Sequence, residues 1–400
     1  MYGINHENGE STAQELSTEQ LSKVDTFTLA KKFKKKTNNY ISHGPLATSC
    51  GLASSAVEQD LEKWKSLGDF LIGNLGFPAR KQLSDAQRLR IFRYYLPVFF
   101  WCQRQLAQHR AAVAAVTTPK RPLVIGMQAP QGCGKTTLVE QLEALFEHEG
   151  MRTAGVSIDD FYLTYADQQA LARANPGNRL LQVRGNAGTH DVALGGATLR
   201  ALAAAGAPPG AGGADASAGG STTAPSATVA VPRYDKSAHG GRGDRAAPGK
   251  WPRVKGPLDL VLFEGWMLGF RPVGAAAAAE VDADLGPIDA AMHSYESAWD
   301  AHVDAWLVVK VGTPEWVYRW RLEAEHAMRA SGRPGMSDKQ VADFVDRYMP
   351  AYHAYLPGMY ASGPTTARAE HVLVVEIDET RSLTPAQPGP FCGVEGDWAG

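Results

Sequence analysis

A chain of 400 residues is long for one domain and points to one large α/β domain with an appendage, or to two domains. Forty Lys and Arg against 42 Asp and Glu leave a net charge of −2, so no basic field favours nucleic acid as a partner, and 44% hydrophobic residues exclude disorder of the whole chain. Apolar stretches such as Tyr94 to Cys102 fall far short of the ~18 residues a membrane helix needs, and neither the four cysteines (Cys50, Cys102, Cys133, Cys392) nor the histidines show disulfide-framework or zinc-ligand spacing.

In chain order, residues 1–57 read as a flexible leader. Glu7, Glu10, Glu15 and Glu19 argue against a transit peptide in the first twenty residues, while the acid-free stretch from Thr26 to Val57 with Lys31, Lys32, Lys34, Lys35 and Lys36 leaves a basic arm or targeting remnant as the alternative to a solvated leader. An N-terminal helical segment follows over 58–120, with a capping box at Ser84 and Gln87 and a break or kink near Pro97. Residues 121–380 alternate buried-strand runs with helical patterns. The strands are Leu123 to Ile125, Thr153 to Ile158, Leu260 to Phe263, Trp306 to Val311 and Val372 to Ile377; the helices include one from Pro314 to Arg329 and one from Ser337 to Tyr355. This alternation predicts a doubly wound parallel sheet flanked by helices. Residues 201–230, almost all Ala, Gly, Pro, Ser and Thr, predict a disordered insertion; Val273 to Asp284, with its alanine run, reads as a smaller one, and 381–400 as a flexible tail.

The chemistry begins where the first strand meets Ala129, Pro130, Gln131, Gly132, Cys133, Gly134, Lys135, Thr136 and Thr137. Strand, small-residue loop, Lys-Thr and helix form the context of a Walker A loop: backbone N–H groups curl round a phosphate, Lys135 reaches the β/γ oxygens, and the Thr136 hydroxyl helps to hold Mg²⁺. Ala129 departs from the pattern, standing where the first Gly belongs. The second strand ends in Asp159 and Asp160, and the strand Leu260 to Phe263 delivers Glu264, all at the edge where α/β sheets bind ligands; the plain alternative is that such acids cap the next segment. A loop rich in cations, with Arg233, Lys236, Arg242 and Arg245, suits an anionic substrate or is a solvated linker. Residues 315–335, with Arg319, Arg321, Arg329 and Arg333, form either a mobile lid whose Arg321 and Arg329 reach the nucleotide, or a helix bearing the surface pairs Arg319–Glu323 and Glu325–Arg329.

These motifs together resemble the P-loop kinases that include uridine kinase, phosphoribulokinase and bacterial pantothenate kinase. The likeness is greater to the D-glycerate 3-kinases of plant and fungal type, in APQGCGKTTL, SIDDFY, the stretch Arg184 to Asp191, VPRYDKS with GRGDR, LFEGWMLGF, and Asp346 to Tyr360. The resemblance implies a P-loop NTPase fold, ATP and Mg²⁺ as cofactors, and phosphorylation of D-glycerate by a monomer without nucleic-acid or membrane partners. It implies Asp159 as base; Tyr162, His190, Arg233, Tyr234, Lys236, Arg242 and Arg245 as the substrate set; and Thr136, Asp160 and Glu264 at the metal. It also implies the chloroplast stroma and a photorespiratory step, with the cytoplasm as the alternative. His239 stands where an aromatic residue is expected in many of these enzymes. Another small-molecule kinase, such as a uridine kinase-like one, is the second reading. A GTPase lacks its N-K-x-D motif here, and a non-catalytic nucleotide binder is disfavoured by Asp159.

Overall fold

The computed structural model describes residues 38–115, 121–205, 228–333 and 335–389. Its N-terminal segment holds α1 (Ser54–Gln59), α2 (Leu61–Asn74), α3 (Asp85–Leu89) and α4 (Leu96–Ala114). Ser84 and Gln87 form the expected capping box on α3. The break comes one turn before Pro97: Arg90–Tyr95 winds as a π-helical turn, and Pro97 falls in the first turn of α4, where a missing N–H is tolerated. Trp64 stacks on Phe100 at 4.5 Å, and Phe99 meets Phe146 of the following region at 4.9 Å, so appendage and sheet share one core. Ile41, Leu46 and Cys50 are buried in that core too, so ordered packing reaches back into the expected leader. The lysine cluster lies outside the described residues.

Next come β1 (Leu123–Gln128), α5 (Lys135–His148), β2 (Thr153–Ser157), α6 (Tyr165–Ala174) and α7 (Val192–Ala204). Residues 206–227, the body of the Ala/Gly-rich insertion, lie outside the described residues. Four short strands follow: β3 (Thr228–Ala230), β4 (Tyr234–Asp235), β5 (Asp244–Arg245) and β6 (Arg253–Lys255). The chain then runs through β7 (Leu260–Gly265), α8 (Ala275–Val281), α9 (Gly286–Ala298), β8 (Ala305–Val311), α10 (Trp316–Ala330), α11 (Asp338–Val345), α12 (Met349–Ser362) and β9 (Val372–Ile377).

The long strands form one parallel sheet in the order β2-β7-β1-β8-β9. Every residue of β1 and β7 is buried, as central strands with helices on both faces require. Because β2 lies to one side of β1 and β8 to the other, the chain changes direction there. The ligand-binding crevice of such a sheet therefore opens at the carboxyl end of β1.

Further expectations need correction, the edges of the 201–230 insertion among them: residues 201–204 close α7 and 228–230 form β3. The alanine run is helix α8, as the high helix propensity of Ala favours, and Asp289 anchors the chain entering it by accepting from the N–H groups of Val273 and Gly274 at 2.8 and 3.1 Å. The single helix from Ser337 to Tyr355 is two, α11 and α12, because Pro350 has no N–H to give a helix continuing from Asp346; it serves in the first turn of α12 instead. The tail is packed as far as residue 389: Leu383 is buried and bridges Ile377, Gln387 donates to the Glu376 carbonyl at 2.8 Å, and Ser49 Oγ donates to the Pro388 carbonyl at 2.5 Å. Residues 390–400, with Cys392, lie outside the described residues. No helix among the described residues is long and apolar enough to cross a membrane.

Candidate active site

β1 leads straight into the loop 129–134 and then α5. Ala129 N–H donates to Gly265 O at 3.3 Å, extending the pairing with β7 by one residue, and its methyl is accommodated in the core. Gly132 has φ 80°, and a Cβ there would lie 2.7 Å from Trp320 Cβ, so this position takes no side chain. Gly134, at φ 95°, is the N-cap of α5. Pro130 is buried. Cys133 is buried as well, and burial, partly offset by Lys135, pushes its thiol up to about 11. Lys135, Thr136 and Thr137 make up the first turn of α5, where N–H groups lack intrahelical partners. The Lys135 ammonium faces the Glu264 carboxylate at the end of β7. Burial alone would lower the pKa of Lys135, but the charges of Glu264 and Asp159 outweigh it and raise that pKa, so the cation stays charged. Two side chains from outside the motif hold the loop: Tyr352 OH accepts from Gln131 N–H at 3.0 Å, and Arg381 Nε donates to Gly132 O at 2.7 Å.

β2 ends in a 3₁₀ turn, Ile158–Phe161, whose two acids part company. Asp159 Oδ2 lies 2.6 Å from Lys236 Nζ, and its Oδ1 accepts from Tyr162 OH at 3.0 Å. Burial works against its charge, yet Lys236, Lys135 and these hydrogen bonds hold the carboxyl well below the usual range. Asp160 instead accepts from Arg233 at 3.0 Å and from Tyr234 N–H at 3.1 Å, and burial, the largest influence, raises its pKa. Both of its oxygens are thus engaged with the cation-rich loop.

The remaining expected substrate residues surround Asp159. Tyr162 stacks on His190 with ring centroids 4.4 Å apart. His190 Nδ1 lies 2.9 Å from Tyr295 OH; burial depresses the ring to about 3, so it is neutral. Arg245 donates to Asp191 at 3.0 Å and to the Tyr162 carbonyl at 3.1 Å, which makes it a brace between loop and sheet edge. The Arg242 side chain is exposed and meets no acid among the described residues. Arg184, given no role in the sequence reading, lies over the Tyr234 ring at 5.5 Å and donates to the carbonyls of Gly241 and Arg242, closing the loop from behind. His239 stacks on Tyr165 at 3.9 Å, so its flat ring fills an aromatic place.

On α10 the ion pairs differ in part from those expected. Arg319 pairs with Glu323 at 3.0 Å as read. Glu325 is buried and pairs with Arg321, not Arg329, because its other oxygen turns inward to accept from Met336 N–H at 2.7 Å. Arg329 turns to Asp338 at 2.7 Å. The structure therefore places both arginines on neighbouring acids. The residues that sequence reasoning missed, Arg184, Arg381 and Tyr352, lie on three separate segments. Arg184 and Tyr352 sit in stretches that the family resemblance had marked; Arg381 does not.

A phosphate loop after the central strand, a lysine opening the helix that follows, and acids at the ends of the two strands to one side, β7 and β2, define a P-loop kinase. No protein-family model matches the chain. It is 45% identical over 343 residues, 86% of this chain and 71% of the other, to the chloroplastic D-glycerate 3-kinase of Arabidopsis thaliana. It is 34% identical over 274 residues to the uncharacterized kinase mug58 of Schizosaccharomyces pombe, covering 65% of this chain and 90% of that one. Among solved structures, the D-glycerate 3-kinase from Cryptococcus neoformans superposes with a TM-score of 0.62 at 32% identity, over 72% of this chain and 97% of that one. The chain belongs to the D-glycerate 3-kinase family.

Proposed function

We propose that the chain transfers the γ-phosphoryl group of ATP to the 3-hydroxyl of D-glycerate, releasing ADP and 3-phosphoglycerate. The observation that carries this reading is the convergence of Lys135, Asp159 and Glu264 at the carboxyl ends of three adjacent strands, β1, β2 and β7. Phosphoryl transfer needs positioning and charge stabilisation more than covalent help. Lys135 and the first-turn N–H groups of α5 hold the phosphates. Asp159 accepts the proton of the attacking hydroxyl as the O–P bond forms. The cations around it, Lys236 and Arg242 foremost, take the substrate carboxylate, while Tyr162, His190 and Tyr234 form an aromatic wall and Arg233 and Arg245 hold the loop in place. Arg321 and Arg329 are proposed to leave their acids and reach the nucleotide when it binds.

The donors near Lys135 fit Mg²⁺ arriving with the nucleotide. The Thr136 hydroxyl and the Glu264 carboxylate are hard oxygen donors, and such sites keep water and phosphate oxygens as their other ligands. Among the described residues no group of three or more His, Cys, Asp or Glu forms a cage that would bind the ion without nucleotide. When bound, the ion neutralises charge that develops on the phosphate oxygens. We further propose a monomer serving photorespiration in the chloroplast stroma, the compartment resting on the name of the Arabidopsis relative, with the cytoplasm as the alternative. ADP release measured with D-glycerate, L-glycerate, uridine, ribulose 5-phosphate and pantothenate tests the activity. Turnover with D-glycerate well above the rest is expected; preference for uridine would replace the reading.

A further inference from the structure

Arg381 sits just after β9 in a turn that Asp378 ties up, its Oδ1 accepting from the N–H groups of Thr380 and Ser382 at 2.8 and 3.0 Å. It takes φ 63°, a left-handed conformation that residues with a side chain avoid. Glycine would adopt this φ freely, so what the position gains from arginine is its guanidinium. That group spans three partners. Its Nε donates to Gly132 O at 2.7 Å, its Nη1 donates to Glu323 at 2.7 Å, and it lies 5.2 Å from the centroid of the Trp320 ring. Trp320 is itself fixed, donating from Nε1 to the Glu379 carbonyl at 2.8 Å, and its Cβ occupies the space that a side chain on Gly132 would need. The turn after β9, helix α10 and the phosphate loop thus meet at one side chain.

In a trans peptide the C=O and the following N–H point to opposite sides. Drawing Gly132 O towards Arg381 therefore turns Cys133 N–H to the opposite side of the peptide, where it donates only at 3.4 Å, to Pro130 O. An N–H so weakly engaged is left for an anion. We propose that Arg381 is a positioning residue that holds the Gly132–Cys133 peptide in the orientation that binds the β-phosphate of the nucleotide. The identity of the ligand rests on the kinase reading above; the contacts do not.

The test compares Arg381→Ala, which keeps the φ strain, with Arg381→Gly, which relieves it. ADP is titrated by calorimetry with Mg²⁺ present, AMP is measured as a competitor, and KM for D-glycerate is recorded. Both variants are expected to lose about tenfold in ADP affinity, the scale of one charge-assisted hydrogen bond, with AMP competition and glycerate KM near wild type, because AMP has no β-phosphate. Wild-type ADP affinity in Arg381→Gly would overturn the proposal, since the effect would then lie in the backbone of the turn. Parallel loss for ADP and AMP would overturn it as well, placing the contact at the nucleoside. A wild-type protein that binds ADP but does not turn over glycerate would sink the glycerate reading alone and leave Arg381 standing.

Discussion

The loop 231–245 and helix α10 are both rich in cations, but they use them differently. Across the loop, Arg233, Lys236 and Arg245 pair with Asp160, Asp159 and Asp191, acids 73, 77 and 54 residues away in the chain. On α10, Arg321 and Arg329 pair with acids four and nine residues away. A long-range pair fixes one segment against another, so the loop is pinned over the end of β2 where Asp159 stands. A local pair fixes only its own helix or, as Arg329 and Asp338 do, that helix to the next, and an exposed one contributes little to stability. Arg329, on an exposed acid, can therefore be taken over by an arriving anion at small cost, and Arg321 only by leaving the buried Glu325, whereas Lys236 cannot be moved without disturbing the acid that is proposed to do the chemistry.

The largest effects belong at the point where the loop meets the sheet. Lys135→Ala should leave the fold intact and lower kcat by orders of magnitude. Asp159→Asn should lower kcat by roughly 10²–10⁴-fold while ADP still binds by calorimetry, and Asp160→Asn should cost less because that acid only anchors the loop. The reverse order of damage would reassign the base to Asp160, and equal mild effects would mean that neither carboxylate takes the proton.

Next in size is the loop cation beside the base. Lys236→Met should raise KM for D-glycerate about tenfold or more with little change for ATP, as loss of a charged hydrogen-bond partner does. It also carries a pH signature. Lys236 is the foremost of the charges that depress the Asp159 pKa, so without it that pKa rises and the acid limb of the kcat profile moves to higher pH. The stability sign follows the same linkage: a depressed carboxylate stabilises the fold above its unfolded pKa and loses this as pH falls through its folded value, so the variant should lose part of its stability at neutral pH and unfold less steeply in acid. An unshifted acid limb would mean that the limb reports a group other than Asp159. Arg242→Ala should raise glycerate KM alone, by less, since its side chain is bound to nothing that needs replacing.

On the helix the contrast is within one element. Arg321 covers Glu325, which is 1% exposed, so Arg321→Ala leaves a buried acid without its cation and should cost about 1–2 kcal/mol of stability, read as a lowered Tm. Arg329→Ala should leave Tm unchanged. If both arginines reach the nucleotide, both variants nonetheless lose kcat; a kcat loss confined to Arg321→Ala would make the helix a structural one and remove Arg329 from the nucleotide set.

The same contrast shows what the sequence makes legible. The phosphate loop, the five strands and the capping box at Ser84 are local patterns, set by periodicity, small residues and short-range hydrogen bonds, and each is found where the residues place it. Asp160 could be placed at the metal only by its adjacency to Asp159; which way it turns depends on Arg233, brought in from far along the chain. Glu325 could have paired with either arginine by spacing, and Met336 N–H, supplied by the turn before α11, settled the choice. Arg381 and Tyr352 reach the phosphate loop from 249 and 221 residues away, and no spacing rule connects them to it.

The smallest effect is expected from removing the segment that feeds the loop. Deleting 206–226 and joining the ends with a short Gly/Ser link tests whether the substrate loop is positioned by its own ion pairs or by what precedes it. The ends on either side are already anchored close together: Leu258 N–H donates to Ala205 O at 3.1 Å, and Thr228 pairs with Lys255 in the β3–β6 ladder. Positions 255 and 258 are at most about 10 Å apart along the chain, so a short link can close the gap. Loop-closure entropy grows only logarithmically with length, and shortening the loop should change stability by under about 1 kcal/mol. Between β3 and the site lies only Val231–Arg233, and Arg233 is held by Asp160 and by the Pro232 carbonyl. Tm, kcat and both KM values should therefore stay near wild type. A several-fold rise in glycerate KM with unchanged Tm would show that the segment contacts the substrate loop, and the difference between loop and helix drawn above would then owe something to residues 206–226 as well as to Asp159, Asp160 and Asp191.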